Sequence, residues 1–244
     1  MAVKFMNKEY DAVVFDLDGT VYPLPKFNKL RFFLLNIRFP FLFKAHREAL
    51  LSLRDTDFGN SDKFYDTFFS TISQKTGKDK EYVRNWYFKN FYNSFEVFLK
   101  KYCCIRNKFN ELVTFLKNKK VKLGILSDYA NIENRLDALR VEKKYFDIIV
   151  SGENCGALKP LPRSLSLMIE FLGIVPEKLL VVGDRIDTDG MAAKNTGTGF
   201  FLIKDNAPAT ERSGSWNYFL QNIMSNETAT SAGNGGREVV EIRS

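Results

Sequence analysis

Apolar and polar positions along the chain form a few distinct blocks, and the first block ends in two carboxylates. Residues 12–15 are a short continuous apolar run bounded by polar residues, which predicts a buried strand. Asp16, Asp18 and Gly19 follow in the run Asp-Leu-Asp-Gly-Thr and indicate a tight loop at the end of that strand. Ligands of open α/β sheets bind at this edge, so the loop is a candidate site.

Two different patterns divide the rest of the chain. From about residue 26 to residue 101, Phe, Tyr and Leu recur at steps of three and four, which predicts an all-helical insertion. From about residue 107, apolar runs alternate with amphipathic stretches, which predicts an α/β fold whose parallel sheet is covered by helices on both faces. The expected strands are 121–126, 146–150, 179–182 and 199–203, and the expected helices are 111–118, 132–139, 164–172, 190–195 and 216–223.

Composition and charge limit the class of protein. A chain of 244 residues that is 45% hydrophobic and 14% aromatic can bury a core, although the Ser-, Asn-, Gly- and Thr-rich residues 225–244 predict a disordered tail. The formal charge of +7 is scattered without a basic block, so we expect an anionic small substrate and no nucleic acid. Without a secretory signal or an apolar run of about 18 residues, a soluble cytoplasmic protein is expected. The three cysteines fit neither a metal site nor a disulfide framework and are expected to be buried, reduced thiols.

The chemistry of the first loop depends on its crowded carboxylates. Asp16 and Asp18 repel each other unless a cation or a shared proton relieves the repulsion, and Mg²⁺ is the cation that such hard oxygen ligands favour. A simple polar turn is the alternative interpretation. A calcium loop is excluded because Gly19 comes too early and Lys26 and Phe27 stand in the region of its last ligand.

Polar residues that could take part in catalysis or binding follow three further predicted strands. They are Ser127 and Asp128, then Lys159, and then Asp184 and Asp189. On its own, Ser127 would be interpreted as a helix cap and Lys159 as a solvated surface residue. Because the carboxyl ends of parallel strands meet at one edge of a sheet, we expect these side chains to converge with Asp16 and Asp18.

In this order, the four motifs resemble those of the haloacid dehalogenase-like superfamily of hydrolases, in its phosphatase branch. The motifs are Asp-x-Asp, a Ser or Thr, a Lys, and an acidic Gly-Asp followed by a further Asp. The resemblance implies a Rossmann-like core sheet with an all-helical cap domain inserted after the first motif. It implies a core of residues 1–22 and 105–224 and a cap of residues 23–104.

The resemblance also implies a role for each motif residue. Asp16 would be the nucleophile that becomes a transient aspartyl phosphate, and Asp18 would be the acid and base whose backbone carbonyl helps to hold Mg²⁺. Ser127 would bind the transferring phosphoryl group together with the turn at Asp128. Lys159 would neutralise charge between Asp16 and the phosphate.

The acidic residues of the fourth motif complete the implied Mg²⁺ site. Asp184 would be a direct ligand beside the two acids of the first motif, and Asp189 would support the metal through water or through Lys159. Asp187 is expected to be a loop or helix-cap residue. The sequence does not distinguish which acid other than Asp184 completes the site.

The activity implied by the resemblance is Mg²⁺-dependent hydrolysis of a small phosphorylated metabolite through an aspartyl phosphate. A phosphomutase would use the same intermediate, and a non-catalytic protein that binds through its aromatic cap is a third alternative. A dehalogenase is not expected, because those relatives need only one Asp in the first motif and Asp18 is present here. We expect a monomer or a homodimer.

The cap sequence says less about function. The Phe-rich segment 31–43 is expected to form cap core; an interfacial membrane anchor, a dimer contact and an apolar substrate wall are its functional alternatives. Lys26, Lys29 and Arg31 are expected on a solvated face. His46 is the only histidine, so we expect no His-based dyad and place it on the surface of a helix.

Overall fold

A parallel sheet forms the centre of the computed structural model, which describes residues 2–206 and 208–224. The strands are β1 Val3–Phe5, β2 Lys8–Tyr10, β3 Ala12–Asp16, β4 Lys122–Ser127, β5 Ile148–Ser151, β6 Leu179–Gly183, β7 Gly199–Ile203 and β8 Ser213–Gly214. Six strands pair in the order β5-β4-β3-β6-β7-β8, and every neighbouring pair is parallel. Strands β1 and β2 form a separate antiparallel hairpin. The predicted tail, 225–244, lies outside the described residues.

Helices cover both faces of this sheet. The helices of the described residues, those of the insertion included, are α1 Lys26–Leu35, α2 Pro40–Leu53, α3 Ser61–Thr76, α4 Lys80–Trp86, α5 Tyr92–Tyr102, α6 Phe109–Asn118, α7 Ile132–Ala138, α8 Gly152–Cys155, α9 Arg163–Leu172, α10 Met191–Thr196 and α11 Trp216–Met224. Alternate residues of β3 pack on opposite faces, as expected for a strand. Phe15 contacts Phe109 of α6 and Phe219 of α11, whereas Val14 belongs to the cluster that contains Met168 of α9. The α/β fold predicted from the sequence is confirmed.

The predicted strands and helices of the α/β region form with their ends shifted by at most two residues. The sequence missed the β1–β2 hairpin, β8 and α8. Each of these elements has only two to four residues, which is too short to produce a hydrophobic period. The omissions lie at the sheet's margin or in loops and leave the predicted order of the main strands unchanged.

Helices α1 to α5 form the all-helical insertion between β3 and β4. Asn60 caps α3 by accepting a hydrogen bond from the backbone N–H of Lys63, and Gly77 ends that helix at a φ of 64°. A π-helical turn, Tyr87–Phe91, joins α4 to α5. The interior is built from almost fully buried aromatic rings, including Phe64, Phe68, Phe69, Tyr87 and Phe91. The domain boundaries at residues 22 and 104 stay a prediction.

His46 lies inside the insertion, so the prediction of a surface position was wrong. Only 2% of the residue is exposed, and its ring centroid is 4.3 Å from that of Phe91. The reason is its place on the inward face of α2, which repeats at helical spacing: Leu42, Ala45, His46, Ala49 and Leu53. The expectation of buried cysteines was also wrong, because Cys104 is exposed and Cys103 and Cys155 are only half-buried.

The Phe-rich segment 31–43 divides between interior and surface, so the expectation of cap core was right only in part. Phe32, Phe39 and Phe43 pack on the core of the insertion. In contrast, Ile37 is 57% exposed and Phe41 is 79% exposed. The expected solvated cations, Lys26, Lys29 and Arg31, are exposed. Among the described helices, none combines the length and apolar character needed to cross a bilayer.

Candidate active site

Three neighbouring strands bring the motif residues to one edge of the sheet. β3 lies between β4 and β6, and the register places Asp16 opposite Leu126 on β4. Ser127 therefore ends β4 directly beside the first loop, and Asp184 follows the end of β6 on the other side. The convergence follows from parallel pairing, which aligns the carboxyl ends of all three strands.

Asp16, Asp184 and Asp189 form an acidic cluster in which ligand oxygens lie within 4.8 Å of one another. The ammonium group of Lys159 donates hydrogen bonds to Asp16 Oδ1 at 2.5 Å and to Asp189 Oδ1 at 2.6 Å. Lys159 is 4% exposed, so its charge is held in place inside the protein. The cluster thus combines three carboxyl groups with one fixed cation.

The acidic cluster has the donor set and the electrostatics of a cation site. Burial, reinforced by Asp189 and opposed by Lys159, raises the pKa of Asp16 well above its usual value. Burial and Asp189 also raise the pKa of Asp184 to about 6. Asp16 Oδ2 is buried and has no hydrogen-bond partner among the described residues. Carboxylate oxygens crowded in this way are the hard ligands that Mg²⁺ prefers, so the donor set fits Mg²⁺.

Gly19 allows the first and fourth motifs to approach each other. Its φ of +102° lies in a region that L side chains rarely adopt. A Cβ atom at this position would lie 2.2 Å from Asp184 Oδ2. The glycine of the first motif is therefore required for Asp184 to reach the acidic cluster.

The side chain of Asp18 lies outside the acidic cluster. Arg135 and Tyr22 both donate hydrogen bonds to Asp18 Oδ1, and Ser127 Oγ donates to Oδ2 at 2.7 Å. Burial tends to raise the pKa of Asp18, but the charge of Arg135 and these hydrogen bonds outweigh it, so the pKa lies below its usual value. Ser127 also accepts from Arg135 Nη1 at 3.1 Å, and so links the second motif to the first.

Sequence reasoning missed Arg135 and Tyr22 as part of the site. Arg135 is fully buried on α7. The sequence pattern indicates the opposite, because a charged residue in a short polar helix normally lies on a solvated face. Only its spacing from the second motif, eight residues beyond Ser127, could have suggested it. Tyr22 offered a better signal, because it stands four residues after Asp18 at the end of the same loop.

Two further predicted acids lie near the cluster in supporting positions. Asp128 Oδ1 accepts a hydrogen bond from the backbone N–H of Lys159 at 2.8 Å, so its carboxylate positions the third motif. Asp187 is exposed and forms ion pairs with Arg185 and, at 3.7 Å, with Arg54. It lies on a π-helical turn after β6, in agreement with the expected loop or cap position.

A buried carboxylate connects the insertion to the core beside the second motif. Glu153 accepts hydrogen bonds from the hydroxyl groups of Tyr65 at 2.9 Å, Tyr87 at 2.5 Å and Tyr92 at 2.6 Å. It also accepts from the backbone N–H of Ala130 at 3.2 Å. No sequence pattern indicates this cluster, because its members are spread over 89 positions and meet only in the folded chain.

A cleft of about 270 Å³ opens between the insertion and the core. Arg47 and Leu51 of α2 and Arg54 at its C-cap line one side of the cleft, while Asp128 and Arg185 line it from the core. The cleft is therefore lined both by residues of the second-motif and fourth-motif loops and by arginines of the insertion. Such a cleft has a positive wall that suits an anionic small molecule.

The fold and this edge of the sheet define a Rossmann-like α/β protein with an aspartate-rich site beside a helical insertion. The sequence model of a family described as "haloacid dehalogenase-like hydrolase" matches residues 10–197. The chain therefore belongs to the haloacid dehalogenase-like hydrolase family, as its motifs predicted.

Relatives by sequence are named as phosphatases. A phosphoglycolate phosphatase of Aquifex aeolicus is 32% identical over 191 residues, which cover 76% of this chain and 81% of the relative. A glyceraldehyde 3-phosphate phosphatase of Methanothermobacter thermautotrophicus is 25% identical and covers 82% and 88% of the two chains. Among solved structures, a HAD phosphatase from Thermococcus onnurineus aligns with a TM-score of 0.58 at 21% identity, covering 88% of this chain and 98% of that one. The similarity to this solved structure supports the assignment of the fold.

Proposed function

We propose that this protein is a Mg²⁺-dependent phosphatase that hydrolyses a small phosphate monoester through an aspartyl phosphate at Asp16. The observation that carries the proposal is the state of the Asp16 carboxylate. One oxygen is held by Lys159, while the other is buried and has no hydrogen-bond partner within the described chain. A nucleophile needs this combination of a fixed orientation and a free lone pair.

In the first half of the reaction, Asp16 Oδ2 forms a bond to phosphorus while the bond from phosphorus to the leaving oxygen breaks. Asp18 donates a proton to that oxygen, which leaves as an alcohol. Lys159 offsets the repulsion between the anionic nucleophile and the anionic phosphoryl group, and Ser127 binds a phosphoryl oxygen. Donation by Asp18 requires its carboxyl group to leave the ion pair with Arg135.

In the second half, Asp18 takes a proton from water as the water oxygen attacks phosphorus. The bond from phosphorus to Asp16 breaks, and inorganic phosphate leaves. The ion pair with Arg135 favours the carboxylate form of Asp18, which is the form that accepts this proton.

Asp16, Asp184 and the backbone carbonyl of Asp18 would hold Mg²⁺, with Asp189 in support through Lys159. The ion would neutralise charge on the phosphoryl oxygens. The crowding of the three carboxyl groups supports this assignment.

The substrate class rests on the cleft and on the relatives. A volume of about 270 Å³ suits a small metabolite, and three guanidinium groups, Arg47, Arg54 and Arg185, suit an anionic one. Phosphoglycolate and glyceraldehyde 3-phosphate are the first compounds to assay, because relatives are named for them. The cytoplasmic location, the absence of nucleic-acid binding and a monomeric or homodimeric state stay predictions.

Release of inorganic phosphate from a panel of phosphorylated metabolites tests the proposal. We expect turnover with Mg²⁺, loss of turnover after chelation, and recovery when Mg²⁺ is restored. Asp16→Asn should abolish turnover, whereas Asp66→Asn, which changes an exposed acid of α3 that pairs with Lys80, should retain it. Unchanged turnover in Asp16→Asn would contradict the proposal. Conversion of a sugar phosphate into its isomer without phosphate release would instead indicate a phosphomutase.

A further inference from the structure

Helix α1 is apolar on two opposite sides. Its inner side carries Phe32, whose ring centroid is 4.9 Å from that of Phe95 on α5, and Leu35, which also packs on the core of the insertion. Its outer side carries Phe27, Leu30 and Leu34, at spacings of three and four residues, and all three are at least half exposed. A helix that only completes a protein core would be polar on the outer side.

The exposed apolar surface continues beyond α1 into the start of α2. We name it the apolar ridge, and its members are Phe27, Leu30, Phe33, Leu34, Ile37 and Phe41. Their exposed fractions lie between 37% and 79%. Large apolar side chains scattered singly on a surface are ordinary, but six within 15 consecutive positions mark an interaction surface.

The charged residues in the stretch of sequence that carries the apolar ridge all have one sign. From residue 19 to residue 47 the sequence contains no Asp or Glu, although acidic residues make up 29 of the 244 positions. The same stretch contains six cations: Lys26, Lys29, Arg31, Arg38, Lys44 and Arg47. On α1, Lys29 and Arg31 border the outer apolar side, and the Arg31 guanidinium lies 5.0 Å from the centroid of the Phe27 ring.

We propose that the apolar ridge docks on the surface of an anionic phospholipid bilayer. Apolar side chains on the outer side of a helix, bordered by Lys and Arg, bind at the interface between headgroups and acyl chains. The bordering cations are attracted to anionic headgroups. The ridge lies on the membrane and does not span it, because α1 has only ten residues.

A second copy of the chain is the competing occupant, and the charges disfavour it. A twofold contact places the same patch on both subunits, so the cations around one ridge would face those around the other. The stretch offers no acidic partner for them. An anionic bilayer satisfies both the apolar and the basic parts of the surface.

Co-sedimentation with lipid vesicles tests the proposal. The wild-type protein should bind vesicles of phosphatidylglycerol and phosphatidylcholine at low salt, bind them less at high salt, and bind pure phosphatidylcholine much less. The double variant Ile37→Ser/Phe41→Ser should bind the anionic vesicles at least about tenfold more weakly. The matched control is Leu167→Ser/Phe171→Ser, which removes two exposed apolar side chains from α9 and should bind like the wild type.

A second pair of variants tests the electrostatic contribution to vesicle binding. Lys26→Glu/Lys29→Glu should weaken binding about tenfold or more, whereas Lys194→Glu/Lys204→Glu makes the same change in net charge elsewhere and should have a smaller effect. Unchanged thermal unfolding checks that each variant is folded.

Three results would overturn the proposal. The first is no binding of the wild-type protein to anionic vesicles at low salt. The second is equal binding by the ridge variants and their controls. The third is a wild-type dimer that becomes a monomer in Ile37→Ser/Phe41→Ser without any vesicle binding, which would assign the ridge to a second copy. Phosphate release from a water-soluble ester is measured in parallel, so failure of the proposed function is recognised separately.

Discussion

The guanidinium of Arg135 donates a hydrogen bond to the carboxylate of Asp18, inside the protein and beside the second motif. Arg135 is fully buried, and its guanidinium carbon lies 4.4 Å from the centroid of the Phe95 ring on α5. One side chain of α7 therefore touches the first motif, the second motif through Ser127, and the helical insertion. The position of Asp18 depends on the packing of the insertion as well as on its own loop.

Arg135→Gln is expected to destabilise the protein. The substitution leaves the Asp18 carboxylate largely buried without its cation, which costs about 3 kcal/mol or more in the free energy of unfolding. Urea denaturation measures this change. Arg185→Gln is the matched control, because it breaks an exposed ion pair with Asp187 and should cost less than about 1 kcal/mol. Equal losses in the two variants would show that the buried pair has no special role.

Asp18→Asn tests the proposed proton transfer in both halves of the reaction. Loss of the acid and base should lower the rate of phosphate release by a factor of about 10² to 10⁴. With an aryl phosphate, whose leaving group needs little protonation, the first half should still proceed. Rapid-quench measurements should then detect a burst of phenol stoichiometric with the enzyme, followed by slow turnover. An unchanged steady-state rate would contradict the role of Asp18.

The convergence of the motif residues could be anticipated from the sequence because each motif follows its own strand. Short apolar runs locate the strands, and parallel pairing brings their ends together, so Asp16, Ser127 and Asp184 meet without further information. Arg135 and Glu153 could not be anticipated. Their burial depends on α5 and on tyrosines of the insertion, and a charged residue on a short helix normally indicates solvent.

The aromatic segment shows a second limit of sequence patterns. Hydrophobic periodicity identifies one apolar face of a helix, but it does not distinguish a face that packs on the protein from one that remains exposed. Phe32 and Phe33 are adjacent and chemically identical, and one packs inward while the other is 37% exposed. Only the arrangement of α1 against α5 separates them.

Tyr87→Phe tests whether the Glu153 cluster holds the insertion against the core. The variant removes one hydrogen bond to a buried carboxylate and is expected to lower the free energy of unfolding by about 1.5 to 3 kcal/mol. Tyr82→Phe, at an exposed position on α4, should change it by less than about 0.5 kcal/mol. Chemical denaturation measures the stability of the two variants. Equal stabilities would show that the Glu153 cluster does not hold the insertion against the core.

His46 is the residue from which we expect a pH-dependent loss of stability. Burial among aromatic rings lowers the pKa of His46 from 6.5 to about 3. Both ring nitrogens are buried without a hydrogen-bond partner in the described part of the chain, so nothing offsets the cost of charging the ring. The folded protein therefore keeps the ring neutral at acidic pH, whereas the unfolded chain binds a proton below pH 6.5.

The sign of the effect follows from this difference in proton binding. Above pH 6.5 the ring is neutral in both states, and His46 contributes no pH dependence. As the pH falls from 6.5 towards about 3, the unfolded state gains a proton that the folded state does not, so the free energy of unfolding decreases. At pH 5 the loss due to His46 is about 2 kcal/mol.

His46→Leu should remove this contribution, so urea denaturation at pH 7 and pH 5 should give a difference that is about 2 kcal/mol smaller than in the wild type. Comparing each protein with itself cancels any effect of the substitution on packing, and an identical pH dependence in both proteins would show that the buried ring is protonated in the folded state.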